Sequence, residues 1–345
     1  MSLPLSVLDL SPIPVNGDGS QALRNTIDLA QHAEDLGYRR FWVAEHHNMR
    51  GQAGVAPEVL IGVIAQRTRQ IRVGSGGVLA PNYAALKVAE LFRTLEALTP
   101  GRIDAGIGRA PNMDSRTVLA LRGAAGDPNA ADDIARIIAE IEGFAEVAPT
   151  PFPADHPLHR VIASPEGVTF PPVYLLGSGQ LSARIAAERG RGFASAYFFS
   201  PDESEAAIRA YKAQFRPSPH FAHPHAILTV GVICAETETL AADLAHAAQF
   251  TALRRLNEVP GSHQFSTVAD ACSYRFTPED EAKLRRFRPI CGTPARMHAE
   301  LTQLAAQLGA DELMLTTAIG DHALRRRSYE LLAEVFGLVE LGATR

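Results

Sequence analysis

Two hydrophobic rhythms alternate along this chain. Short runs that are apolar at nearly every position, such as Leu5–Leu10, Arg40–Ala44 and Ile71–Gly74, give way to longer stretches in which apolar residues return every third or fourth position. The first pattern fits strands buried on both faces, and the second fits amphipathic helices. Ala84–Leu98 is the clearest helix, with Val88, Leu91, Phe92, Leu95 and Leu98 at spacings of 3, 1, 3 and 3. Ala22–Leu36 sets Leu23, Ile27 and Ala30 on one face and stops at Gly37. Pro57–Arg69 reads as a helix and Arg102–Ile107 as a strand. Downstream, strands are predicted at Pro172–Leu176, Gly192–Tyr197, Ala226–Cys234 and Glu312–Thr316. The helices predicted beside them are Ser182–Arg189, Glu203–Phe215, Thr237–Leu256, Pro294–Leu308 and His322–Phe336. Strands alternating with helices imply parallel pairing and right-handed crossovers. The opening units would also fit an open doubly wound sheet. Continuation at the same rhythm to eight strands favours a TIM-like (β/α)8 barrel, a single domain spanning 1–345.

Two stretches break the rhythm. Residues 110–171 form a Pro- and Gly-rich connection around one predicted helix, Asp132–Val147, and residues 257–292 are irregular. In a barrel such excursions sit as insertions at the C-terminal face, as lids, substrate walls or oligomer contacts. The 257–292 stretch is the candidate lid. Hydrophobic residues at 46% and charged residues at 21% allow a large core, and a net charge of −5 without a basic block argues against nucleic acid. No run reaches the roughly 18 apolar residues of a membrane span. Cys234, Cys272 and Cys291 form no CxxC pair, so a disulfide scaffold is not expected. Met1–Leu5 lacks a basic, apolar secretory leader, and a reducing cytoplasm is the expected home.

Four small or polar clusters follow predicted strands, at the edge where barrels place their chemistry. Glu45-His46-His47 offers groups that exchange protons near neutrality, or loop histidines that merely bond carbonyls. A metal-dependent hydrolase built on these residues is a weaker reading, because adjacent histidines usually point apart. His220, His223 and His225 lie in a Pro-rich loop and read as a solvated surface segment. Val73-Gly-Ser-Gly76-Gly77-Val has glycines that permit close approach to a flat ligand, or a plain turn, and it is no P-loop. Gly108-Arg109 offers a planar cationic fork for phosphate, or a surface ion-pair partner. Gly177-Ser178-Gly179-Gln-Leu-Ser182 lies between a strand and a helix, where free N–H groups and hydroxyls bind anions, or where serine simply caps a helix. It lacks GxGxxG, so a dinucleotide fold is not supported.

These motifs, together with Ser6-Val-Leu-Asp9-Leu-Ser-Pro, Phe41-Trp-Val-Ala-Glu-His-His, Gly101-Arg-Ile-Asp-Ala-Gly-Ile-Gly-Arg-Ala-Pro and Asp311-Glu-Leu-Met-Leu-Thr-Thr, resemble the bacterial-luciferase-like flavin-dependent oxidoreductases. They occur in family order over nearly the whole chain. The resemblance implies a TIM-like barrel and a monooxygenase that uses reduced FMN, often supplied by a separate flavin reductase, with molecular oxygen on a small organic substrate. It implies His46 as a catalytic base, and Gly76–Gly77 as a non-prolyl cis pair under the isoalloxazine ring. Phosphate-binding elements are implied at Arg109, Gly177, Ser178, Gly179 and Ser182. The loop after Gly108-Arg109 is unlike luciferase, so an aldehyde substrate does not carry over. A deazaflavin-dependent hydride transfer and a non-catalytic flavin-binding homologue are the alternatives. Helices Ala22–Leu36 and Ala84–Leu98 carry apolar surface that could support a homodimer, as related proteins form.

Overall fold

The eight predicted strands are present and close into a ring. A computed structural model describes residues 3–109, 114–123, 133–145 and 152–338. Its strands are β1 (Leu5–Asp9), β2 (Arg40–Val43), β3 (Arg72–Ser75), β4 (Val78–Leu79), β5 (Ile103–Gly108), β6 (Val173–Gly177), β7 (Gly192–Ser195), β8 (Ala226–Cys234), β9 (Ile290–Gly292) and β10 (Glu312–Thr316). Parallel pairing runs β10-β1-β2-β3-β5-β6-β7-β8, and β8 pairs with β10 to close the barrel. The short β4 and β9 lie outside this ring, extending the ladders of β5 and β8.

The helices are α1 (Gly19–Asp35), α2 (Pro57–Arg67), α3 (Ala85–Leu98), α4 (Ser115–Arg122), α5 (Ile134–Ala145), α6 (Gln180–Glu188), α7 (Pro201–Gln214), α8 (Glu238–Leu256), α9 (Val268–Ala271), α10 (Pro278–Leu284), α11 (Pro294–Leu308) and α12 (His322–Phe336). Strand alternation builds two cores. Leu8, Trp42, Ala44, Tyr174, Ala194, Ile227 and Met314 fill the barrel interior. Their sequence neighbours Val7, Phe41, Val43, Leu175, Phe193 and Leu313 face outward, under the helices. Fully burying such side chains is worth about 1.5–3 kcal/mol each.

A charged plug closes the N-terminal mouth. Arg40 Nε and Nη2 donate to Glu312 at 2.7 and 3.0 Å, and Arg40 Nη1 donates to Asp104 at 2.8 Å. Trp42 Nε1 and Arg72 also donate to Asp104, at 3.0 Å and as close as 2.6 Å. His225 Nε2 lies 3.1 Å from Glu312. His220 and His223 are exposed as a surface segment would be, but His225 is half-buried at the barrel base, because it immediately precedes β8.

The irregular stretches hold more order than the sequence reading gave them. The 110–171 connection carries α4 as well as α5, and the ends of the predicted 132–147 helix lie outside the described residues. The 257–292 insertion contains α9, α10 and β9. Thr267 with Asp270 and Thr277 with Asp280 form capping boxes that start its two helices. These helices are too short for a 3.6-residue period to show.

The two helices expected to carry a dimer contact spend most of their apolar residues inward. Leu29, Ala30 and Ala33 of α1 and Val88, Phe92 and Leu95 of α3 are buried, although Leu98 is exposed. Exposed apolar side chains are spread over several elements, and α2 carries two of them one turn apart, Val59 and Val63.

Candidate active site

The loop after β2 is fixed by a buried carboxylate. Glu45 Oε2 accepts from the Leu79 backbone N–H at 2.8 Å, and Glu45 Oε1 accepts from the Tyr83 hydroxyl at 2.8 Å. His47 Nε2 sits 2.7 Å from the same Oε1. Glu45 therefore ties the β2 loop to the chain leaving β4, and His47 is committed to that tie. Burial and the nearby Glu45 charge push the Tyr83 hydroxyl up, so it stays protonated and donating.

His46 is placed differently. Its backbone N–H donates to Gly54 O at 2.9 Å, while its ring Nδ1 is sealed from solvent with no partner among the described residues. Burial, and secondarily the neighbouring His47, push it down from 6.5 to about 4. At neutral pH the ring is uncharged, with a lone pair free to accept a proton. A buried unpaired nitrogen costs about 1–3 kcal/mol, so its retention points to a ligand or a proton as its partner.

After the neighbouring strand β3, Gly76–Gly77 is a non-prolyl cis peptide, as the resemblance implies. A Cβ on Gly76 would lie 2.3 Å from Leu8 Cδ1, and one on Gly77 2.8 Å from Gly106 O. Backbone packing onto β5 therefore already favours glycine at 77, whatever else binds there, whereas at 76 the neighbour is the end of the Leu8 side chain. Ser75 Oγ donates to Gly106 O at 2.7 Å and accepts from Gly106 N–H at 3.0 Å, locking β3 to β5 beneath this turn.

On the other side of β5 lie the predicted anion-binding groups. Ile107 of β5 pairs with Leu175 of β6, so Arg109 leaves β5 one strand away from the turn beginning at Gly177. Arg109 is half-buried and makes no ion pair among the described residues. Helix α6 has Gly179 as its N-cap and no side-chain cap, which leaves its first N–H groups available. Ser182 is buried in that first turn, and a Cβ on Gly177 would lie 2.7 Å from its Oγ. Ala110 and Pro111 lie outside the described residues.

The sequence reading missed Glu203. Its Oε2 accepts from Ser178 Oγ at 3.4 Å and lies 3.5 Å from where a Cβ on Gly179 would stand. It occupies the first turn of α7, where an acidic residue is ordinary, so nothing in the sequence marked it as facing the α6 turn. Uncapped N–H groups, serine hydroxyls and Arg109 fit a phosphate, and Glu203 opposes it.

The predicted residues thus fall on the C-terminal ends of four consecutive barrel strands: His46 after β2, Gly76–Gly77 after β3, Arg109 after β5 and Gly177–Ser182 after β6. Asn48 Nδ2 donates to Asp114 Oδ2 at 3.4 Å, linking the His46 loop to the segment beyond Arg109. Among the described residues no three His, Cys, Asp or Glu side chains gather as a metal site.

A parallel eight-stranded barrel with polar clusters on one rim and an orphaned neutral histidine has the form of a cofactor-dependent barrel enzyme. The chain belongs to the luciferase-like monooxygenase family, whose profile matches residues 3–312. A luciferase-like monooxygenase of Escherichia coli K12 is 37% identical over 97% of both chains. An N-acetyl-S-alkylcysteine monooxygenase of Bacillus subtilis is 34% identical over 96% of this chain and 97% of its own. The crystal structure of apo-MsnO8 superposes with a TM-score of 0.88 at 36% identity, covering 98% of this chain and 99% of that one. An FMN complex of a type II Baeyer–Villiger monooxygenase, at 18% identity and TM-score 0.70, and an F420-dependent secondary alcohol dehydrogenase, at 16% and 0.68, share the fold alone.

Proposed function

We propose that this protein is an FMN-dependent monooxygenase that inserts oxygen from molecular oxygen into a small organic substrate. The observation that carries the reading is the order of groups along one barrel rim. Anion-binding elements follow β5 and β6, a glycine turn follows β3, and a sealed neutral histidine follows β2. That order suits one elongated ligand with a phosphate at one end. Reduced FMN, when bound, supplies the electrons that activate oxygen. Arg109, Ser178, Ser182 and the α6 N-terminus would hold its phosphate. Gly76–Gly77 leaves a flat backbone surface for its ring, and the apolar barrel interior below excludes water. His46, neutral near pH 7, would accept a proton on whichever ring nitrogen is unprotonated and return it as the reaction closes.

A separate flavin reductase would deliver the reduced cofactor, and the working unit would be a cytoplasmic homodimer. No helix among the described residues is long and apolar enough to cross a membrane. A second reading, hydride transfer with a deazaflavin, is kept because such a dehydrogenase shares the fold.

Fluorescence titration with FMN and with a deazaflavin, followed by reductase-coupled oxygen uptake, tests the proposal. FMN saturation with substrate-dependent oxygen uptake is expected. Arg109→Gln should weaken FMN by about tenfold, or about 1.4 kcal/mol. Deazaflavin binding without FMN binding would establish the second reading instead.

A further inference from the structure

The 257–292 insertion braces one guanidinium, carried by the helix before it, at the barrel rim. Arg255, in the last turn of α8, donates from Nε to Ser262 O at 2.9 Å and from Nη2 to His263 O at 3.4 Å. The Phe265 ring centroid lies 4.8 Å from its Cζ. Its flat head also lies against Gly51, where an added Cβ would stand 2.4 Å from Nη2 and 2.5 Å from Cζ. Gly51 belongs to the loop that carries His46, and Gly51 O in turn accepts from Ile13 N–H of the β1 loop. Phe265 packs against Gly320 after β10, and Gln264 Nε2 donates to Gly17 O. Arg255 thus sits where the loops after β1, β2 and β10 meet the insertion.

This half-buried arginine lacks the carboxylate partner that several other arginines here have. Arg40 and Arg72 meet Asp104, and Arg325 meets Asp9. No carboxylate reaches Arg255 among the described residues, and its Nη1 has no partner among them and is not sealed from solvent. Arg93 also bonds backbone carbonyls, but it spends both Nη nitrogens on Ala163, Pro165 and Ala145. Burial alone lowers Arg255 to about 10, so it remains charged at neutral pH at a desolvation cost that no acidic side chain offsets. A guanidinium held rigid on two sides, with one edge open, is pre-organised for a carboxylate.

We infer that Arg255 is a substrate-recognition residue, and that the substrate carries a carboxylate which docks on its open edge while the oxidisable part lies toward His46. The inference rests on the monooxygenase reading of the site and specifies its substrate class. It also gives the insertion a role, since Ser262, His263 and Phe265 set the guanidinium in place.

Calorimetric titration with hexanoate, phenylacetate and N-acetylmethionine, each beside its neutral carboxamide, tests this without turnover. The wild type should bind at least one carboxylate about tenfold more tightly than its amide. Arg255→Gln should abolish that preference, and Arg255→Lys should retain part of it, with FMN affinity unchanged in both. In coupled assays on an accepted carboxylate, the glutamine variant should raise KM far more than it lowers kcat. Equal binding of acids and amides by the wild type, no binding of any member, or a preference that survives in the glutamine variant would overturn the inference. So would joint loss of FMN affinity and thermal stability in both variants, which would make Arg255 a clamp for the insertion. A wild type that prefers carboxylates but binds no FMN would sink the monooxygenase reading and leave the anion site standing.

Discussion

At the residue scale, His46 and Glu203 carry the sharpest consequences. The His46 ring titrates near 4 when folded and near 6.5 when free. Between those values the unfolded chain holds a proton that the folded chain does not. Its contribution to stability is therefore largest above about pH 6.5, falls as pH drops to about 4, and is level below. Denaturation series across that window should show a shallower slope in His46→Gln than in the wild type. For catalysis, no acid limb from His46 is expected in kcat/KM between about pH 7 and pH 5. His46→Ala should cost about 100-fold or more in kcat, the scale of a general base, and full activity in that variant would remove His46 from the mechanism. Glu203 sets a negative charge against the proposed phosphate site. Glu203→Gln should tighten FMN binding by about three- to tenfold at low salt, with a smaller gain at high salt.

At the element scale, most strands and helices were legible because periodicity had room to accumulate. Ala226–Cys234, Glu312–Thr316, Pro294–Leu308 and His322–Phe336 begin and end where the pattern places them. What escaped was short or set by partners distant in sequence. The three-residue β9 exists because β8 runs on past the barrel and offers an edge. Helices α9 and α10 rest on Thr-x-x-Asp boxes, a signal present in the sequence but carried by single residues. The Gly76–Gly77 cluster was legible as close approach, but its neighbours Leu8 and Gly106 come from other strands. The plug at the base was not legible, because Arg40, Asp104 and Glu312 open or nearly open three different strands and look like ordinary strand-end charges. Burial alone would raise Glu312, but the Arg40 charge and the hydrogen bonds from His225 and Arg40 outweigh it and hold it at about 2. The stability it contributes is present above about pH 4.5 and is lost as pH falls toward about 2. Arg40→Met would strand Glu312 and Asp104 without their main counter-charge. A loss of about 3–5 kcal/mol is expected by urea denaturation, and a loss under about 1 kcal/mol would mean the plug is dispensable.

At the scale of the whole molecule, the barrel separates stability from chemistry. Charge at the N-terminal end is paired and buried, whereas the C-terminal rim keeps an orphaned imidazole nitrogen and an uncapped helix start. The outer surface carries a further message. Val59 is 61% exposed and Val63 39% exposed, one turn apart on α2, and Val55 in the segment before the helix is 50% exposed. A second copy of the chain on this face would cover them. Light scattering should give twice the chain mass for the wild type and a single chain mass for a Val59→Glu, Val63→Glu double variant. An unchanged mass in that variant would place any self-association elsewhere.

The central claim is that the rim loops after β2, β3, β5 and β6 surround one phosphorylated flavin. Diffraction from crystals grown with FMN tests it most directly. The account predicts the phosphate within hydrogen-bond reach of Arg109, Ser182 and the start of α6, with the ring on Gly76–Gly77 and its edge toward His46. A phosphate bound elsewhere, or a ring turned away from the His46 imidazole, would contradict it.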